Sequence, residues 1–148
     1  MVLQLLTSTE RNNLTKIYTA IRSSLDQQLG QGVRYRGLVL QGSDIAVSRI
    51  RVRYEVPVQD PDGDTVWVLG ATDILPSLSS AQRARVNGVW TKVLGAVREQ
   101  YGPEAYLEGV EVVQAPDGGV WGLKVTVNYE VGAPGVGSTR ARKVVEVV

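Results

Sequence analysis

The chain has 148 residues, enough for one domain or for two small units sharing a core, and its 43% hydrophobic and 21% charged composition excludes a disordered or fibrous chain. It contains no His and no Cys, which excludes a zinc finger, a disulfide framework, a Cys nucleophile and a Ser–His relay. A net charge of +1 gives no overall pull towards nucleic acid or membrane.

The opening Met1-Val2-Leu3-Gln4-Leu5-Leu6 has too short an apolar run for a secretory signal, and no stretch approaches the ~20 apolar residues of a membrane span. A soluble protein of the cytoplasm or of a virion is therefore expected. Thr7-x-x-Glu10 is a capping-box pattern with Leu6 ahead of it as a staple. Leu14, Ile17, Tyr18, Ile21, Leu25 and Leu29 then recur at spacings of three and four, predicting an amphipathic helix that Gly30 closes.

After that helix the period drops to two. Strands are predicted over about Val33–Gln41, about Ile50–Val56 and about Thr65–Gly70, separated by turn chemistry at Gly42-Ser43-Asp44 and Pro61-Asp62-Gly63. Ala71–Leu78, containing Pro76, is the connector. The second half repeats the pattern: Ser79-x-x-Gln82 caps a helix whose stripe is Val86, Val89, Trp90, Val93, Leu94, Val97 and Tyr101, closed by Gly102 and Pro103. Strands follow at about Tyr106–Gln114, Val125–Val131 and Thr139–Val147, with turns at Pro116–Gly119 and Gly132–Gly135.

Laid on itself at an offset of 72, the chain gives eight identities in the 35 pairs from residue 3 to residue 37, among them Gly30 with Gly102 and Gly37 with Gly109. Tyr54-Glu55-Val56 matches Tyr129-Glu130-Val131 at offset 75. The expectation is a single α+β domain, 1–148, built from two α-β-β-β copies, 1–74 and 75–148. A pseudo-two-fold would relate the copies, packing two helices on about six antiparallel strands.

Each candidate site has a plainer rival. Asp60, Asp62 and Asp64 suggest calcium, but an EF-hand needs Gly at its sixth position and Glu at its twelfth, where this run has Thr65 and Ala71; a solvated turn is expected and no metal. Gly132–Thr139 lacks the Lys of a phosphate loop and leads into a strand, so no nucleotide or other cofactor is expected. Glu55 and Glu130, equivalent in the repeat, form a paired-carboxylate site only if they converge. No motif points to an enzyme, and no catalytic residue is assigned.

Arg34, Arg36, Arg49, Arg51 and Arg53 alternate along two neighbouring strands and form a candidate nucleic-acid face; against it, residues 1–74 carry equal numbers of basic and acidic side chains. Trp67 and Trp121 lie in strands beside turns, where an indole can anchor a partner, whereas Trp90 belongs to the core stripe. Val144, Val145, Val147 and Val148 form an apolar strand that would invite pairing at a sheet edge. The leading expectation is a non-enzymatic structural or interaction protein, partnered by itself or by another protein of an assembly such as a virion, acting through sheet edges and loops. The alternatives are a nucleic-acid-binding module on the arginine face and a small-ligand binder or hydrolase with a pocket between helices and sheet.

Overall fold

The computed structural model describes residues 2–30, 32–116, 118–133, 135 and 137–148. In chain order the elements are β1 (Val2–Leu3), α1 (Ser8–Leu29), β2 (Arg34–Gly42), β3 (Val47–Gln59) and β4 (Thr65–Asp73). A 3-10 turn at Leu75–Ser77 leads to α2 (Ser80–Tyr101), β5 (Tyr106–Gln114), β6 (Val120–Ala133) and β7 (Gly137–Val147). The chain is an α+β protein, two helices on a seven-stranded mixed sheet in the order β1-β7-β6-β5-β2-β3-β4. Among the described residues no helix is long and apolar enough to cross a membrane.

Both helices begin as their sequences dictate. The Thr7 hydroxyl accepts from the Glu10 amide at 3.1 Å while the Glu10 carboxylate accepts from the Thr7 amide at 2.9 Å. Ser79 and Gln82 repeat the exchange at 3.1 and 2.9 Å. Gly30 and Gly102 close the helices at φ of 89° and 106°, values that suit glycine. Leu6 and Leu78, ahead of the caps, are buried.

The two helix stripes meet one face of the sheet. Ile50, Val52, Val125, Val127, Val145 and Val147 are each at most 1% exposed and form the centre of the core with Tyr18, Val93 and Val97. Antiparallel pairing of β2 with β5 joins the halves, and each half continues outwards as an antiparallel meander. Among the described residues no helix lies on the opposite face of the sheet.

The sheet has a seventh strand beyond the expected six, and with it a parallel pairing. β1 adds to the six, and it runs parallel to β7, pairing Val2 with Glu146 and Leu3 with Val147. The Val148 amide donates to Leu3 O at 2.9 Å, and the Leu5 and Leu6 amides donate to Val148 O at 2.8 and 3.0 Å. β4 also runs on to Asp73, into the predicted connector. Asp73 explains the extension, because its Oδ1 accepts from the Ile50 and Leu75 amides and ties the strand end to the turn that follows.

Candidate functional site: the β4 edge and the uncovered face

β2 ends against β3 at the pair Arg34–Glu55, yet β3 and β4 stay paired for four more residues, from Val56–Val68 to Gln59–Thr65. They therefore project as a two-stranded arm. On its helix-side face Val58, Val66 and Val68 are exposed; on the uncovered face Leu69 is 76% exposed. β6 and β7 form a second arm beyond the pair Tyr106–Asn128, at the opposite end of the sheet because β2 and β5 are antiparallel.

Among the described residues β4 has a neighbouring strand on one side only. The phase of its ladder follows from two bonds: Asp60 donates to Asp64 O at 2.9 Å, and Ile74 donates to Ile50 O at 2.8 Å. The register between them is unbroken. Even-numbered residues of β4 consequently bond to β3, and Thr65, Trp67, Leu69 and Ala71 turn their N–H and C=O groups to the open side. From Thr65 to Thr72 this strand carries no charge, proline or bulge, the usual devices that blunt an edge.

The other flank is guarded. β1 covers β7 at Glu146 and Val147, and the uncovered stretch of β7 carries Arg140, Arg142 and Lys143. This corrects the expected role of the last valines as an open edge. Val145 and Val147 are fully buried, Val148 has its amide and carbonyl bonded to the segment Leu3–Leu6, and only Val144 is exposed, at 50%. Alternation explains the split: odd positions of β7 face the helices and even ones the uncovered side.

The five predicted arginines do share the uncovered face. Arg36 is bonded to Glu55 at 2.8 Å, and Arg53 lies 3.9 Å from Glu111. The Arg34 guanidinium is 3.6 Å from the centroid of the Trp67 ring, a cation–π stack. Among the described residues only Arg49 and Arg51 of the five have neither a salt bridge nor a ring partner. Glu55 bonding holds Arg36 charged by raising its pKa. Further along the face Glu108 accepts from Asn128 at 2.7 Å and from Arg142 at 2.6 Å; the Asn128 bond, then the cation, hold its carboxyl below the ordinary value although burial opposes them. Among the described residues Asn128 Oδ1 is buried without a donor.

Trp121 is the extra residue of a bulge, since Val120 pairs with Gln114 and Gly122 with Val113. It stands 58% exposed on a shallow surface with Val113, Lys124 and Glu146. Trp90 is core, and its Nε1–H donates to Ser43 O at 2.9 Å.

The remaining candidates are not brought together. Glu55 and Glu130 lie on β3 and β6, with β2 and β5 between them, three interstrand steps of ~4.8 Å each. Asp60 Oδ1 accepts from the Asp62 and Asp64 amides at 2.9 Å, so the acidic run is a local turn. In the Gly132–Thr139 loop Pro134 and Val136 lie outside the described residues, as does Asp117 of the preceding turn. The cavity lined by Leu14, Leu40, Val89, Trp90, Val110 and Leu123 at the centre of the core is only about 10 Å³, too small for a ligand, and a pocket of about 130 Å³ lies between α1 at Ile21 and Leu25 and the end of β4 at Thr72 and Asp73. A cleft of about 440 Å³ opens beside Ser43, Asp44, Trp90 and Tyr106, but its carboxylate, Asp44, is bonded to Arg98 at 2.7 Å.

Sequence reasoning missed the β4 edge. Its signal was present: eight consecutive uncharged residues in a strand, where β3 and β7 alternate apolar with charged. Compared with protein-family models, with curated proteins and with solved structures, the chain finds no match.

Proposed function

We propose that this is a non-enzymatic interaction protein that takes an extended segment of another polypeptide onto β4 as a further strand of its sheet. One observation carries the reading: among the described residues nothing pairs with the outward amides and carbonyls of β4, which are flanked by uncharged, largely apolar side chains, while the opposite flank is clasped by β1 and lined with cations. Main-chain bonds would supply affinity, and the side chains of Trp67 and Leu69 on one face and Val66 and Val68 on the other would supply selectivity.

The test is a selection of extended peptides for binding to the protein, followed by amide exchange. Binders should protect the amides of Trp67, Leu69 and Ala71 and should lose affinity for Leu69→Pro, whose missing N–H faces the open side. Absence of binders, or binders that leave those amides exchanging, overturns the reading.

A nucleic-acid role for the arginine face has one observation in its favour, the absence of carboxylate partners for Arg49 and Arg51. It is carried less far, since the other three guanidinium groups are engaged within the chain. Binding of single- or double-stranded nucleic acid that weakens steeply with salt, and is lost in Arg49→Ala/Arg51→Ala, would support it.

A further inference from the structure

Resting on the β4-edge reading, we infer that the strand this edge receives is β4 of a second copy, antiparallel about a two-fold axis, with Leu69 opposite Leu69. The ladder phase permits this register, because Leu69 belongs to the set whose N–H and C=O face outwards. It is also the register that overlaps Thr65–Asp73 along its whole length, pairing each end with the other copy's opposite end.

Three features of the chain favour a second copy as occupant. The first is electrostatic. An isologous antiparallel contact sets each strand against itself, so a charge at its middle meets its own kind; β4 has none from Thr65 to Thr72, whereas β7 centred on Arg142 or on Lys143 would set that cation against its own equivalent. The second is steric. On the uncovered face Trp67 would stand opposite Ala71, and on the helix-side face Val68 would stand opposite Gly70, large against small on both sides. The ring of Tyr54 lies over Gly70 and would extend the apolar surface that meets Val68.

The third is charge complementarity at the ends. In this register the acidic hairpin tip, Asp60 to Asp64, runs alongside the second copy's Ile74–Pro76 turn. Arg83 is anchored at that turn, its Nη2 donating to Pro76 O at 3.1 Å. Each acidic tip, which among the described residues has no salt-bridge partner in its own chain, would then lie near that cation, while Asp73, opposite Thr65, keeps its Oδ1 on the Ile50 and Leu75 amides.

Sedimentation equilibrium across the micromolar range tests the proposal, with far-UV circular dichroism confirming the fold of each variant. The wild-type chain should show a dimer, and Leu69→Lys, which opposes two ammonium groups at the axis, should weaken it by about tenfold or more. Leu69→Pro should weaken it likewise, and Ile45→Lys, on an exposed loop away from the strand, should not. The chain has no cysteine, so Leu69→Cys should be joined into a covalent dimer by a short bismaleimide, which spans the wide Cβ separation of a hydrogen-bonded pair, while Thr19→Cys should not.

A wild-type monomer throughout, or a dimer indifferent to both Leu69 variants, overturns the proposal. A Leu69-dependent dimer that Leu69→Cys fails to link overturns the register. Should the protein be monomeric while selected peptides still protect the β4 amides, self-pairing falls and strand capture stands; if neither is seen, both fall.

Discussion

The guanidinium of Arg34 lies 3.6 Å from the centre of the Trp67 ring, so β2 reaches across β3 to hold the edge strand β4 from its far side. Arg34→Ala should cost about 0.5–1 kcal/mol, the usual worth of an exposed cation–π contact. In urea denaturation Arg34→Ala should add almost nothing on top of Trp67→Ala, since either removes the same contact. Full additivity would show that the stack contributes nothing.

A side chain at Gly70 would overlap the Tyr54 ring, and one at Gly122 would overlap the Val147 carbonyl oxygen. The ring can swing aside, but the carbonyl belongs to a paired strand. Gly122→Ala should therefore destabilise by about 2–3 kcal/mol and Gly70→Ala by about 1 kcal/mol, within the range for overpacking. Thermal or urea melts compare them, and Gly70→Ala should become neutral in a Tyr54→Ala background.

Val144 and Val145 are adjacent in β7 but on opposite faces, one half exposed and the other fully buried. Val145→Ala should cost about 2 kcal/mol through the cavity it leaves, and Val144→Ala should be near neutral. Equal effects would mean that β7 is placed on the wrong face.

Acid should weaken the α1–α2 contact. Burial pushes the Glu10 carboxyl up, but the bonds from Lys92 at 2.8 Å and from the Thr7 amide outweigh it and hold the group below its ordinary value of 4.5. A carboxyl lowered by folding contributes stability above its unfolded value and loses it as pH falls through the folded one. Stability measured from neutral to acid should fall in that window, less steeply in Glu10→Gln. An unchanged slope in that variant would assign the loss to other carboxylates, Glu108 first among them.

Both helices were legible because their signals are local: a cap, a period of 3.6, a closing glycine. The strands were legible to within a few residues, since Arg49–Val56 and Lys124–Val131 alternate so regularly. Which strand would lie at an edge was not. Edge position depends on the order in which distant strands pair, and β1 has only two residues, too few for any period to register. Its parallel bond with β7 is a tertiary event, and it closes the flank at the final valines while β4, at the other end of the strand order, stays open. The bulge that turns Trp121 outwards escaped notice for the same reason, because it arises from the match between β5 and β6. The arginines were correctly grouped on one face, but their neutralisation by Glu55 and Glu111 and their stacking on Trp67 needed three dimensions.

The two-residue clasp of β1 on β7 bears on how far assembly can go. A sheet receptive at both margins would stack copy after copy into a fibre. Here β1 and the cations of β7 guard one margin, and the proposed symmetric contact would consume the other in both molecules at once, so growth would halt at the pair and an otherwise sticky strand would stay out of runaway aggregates.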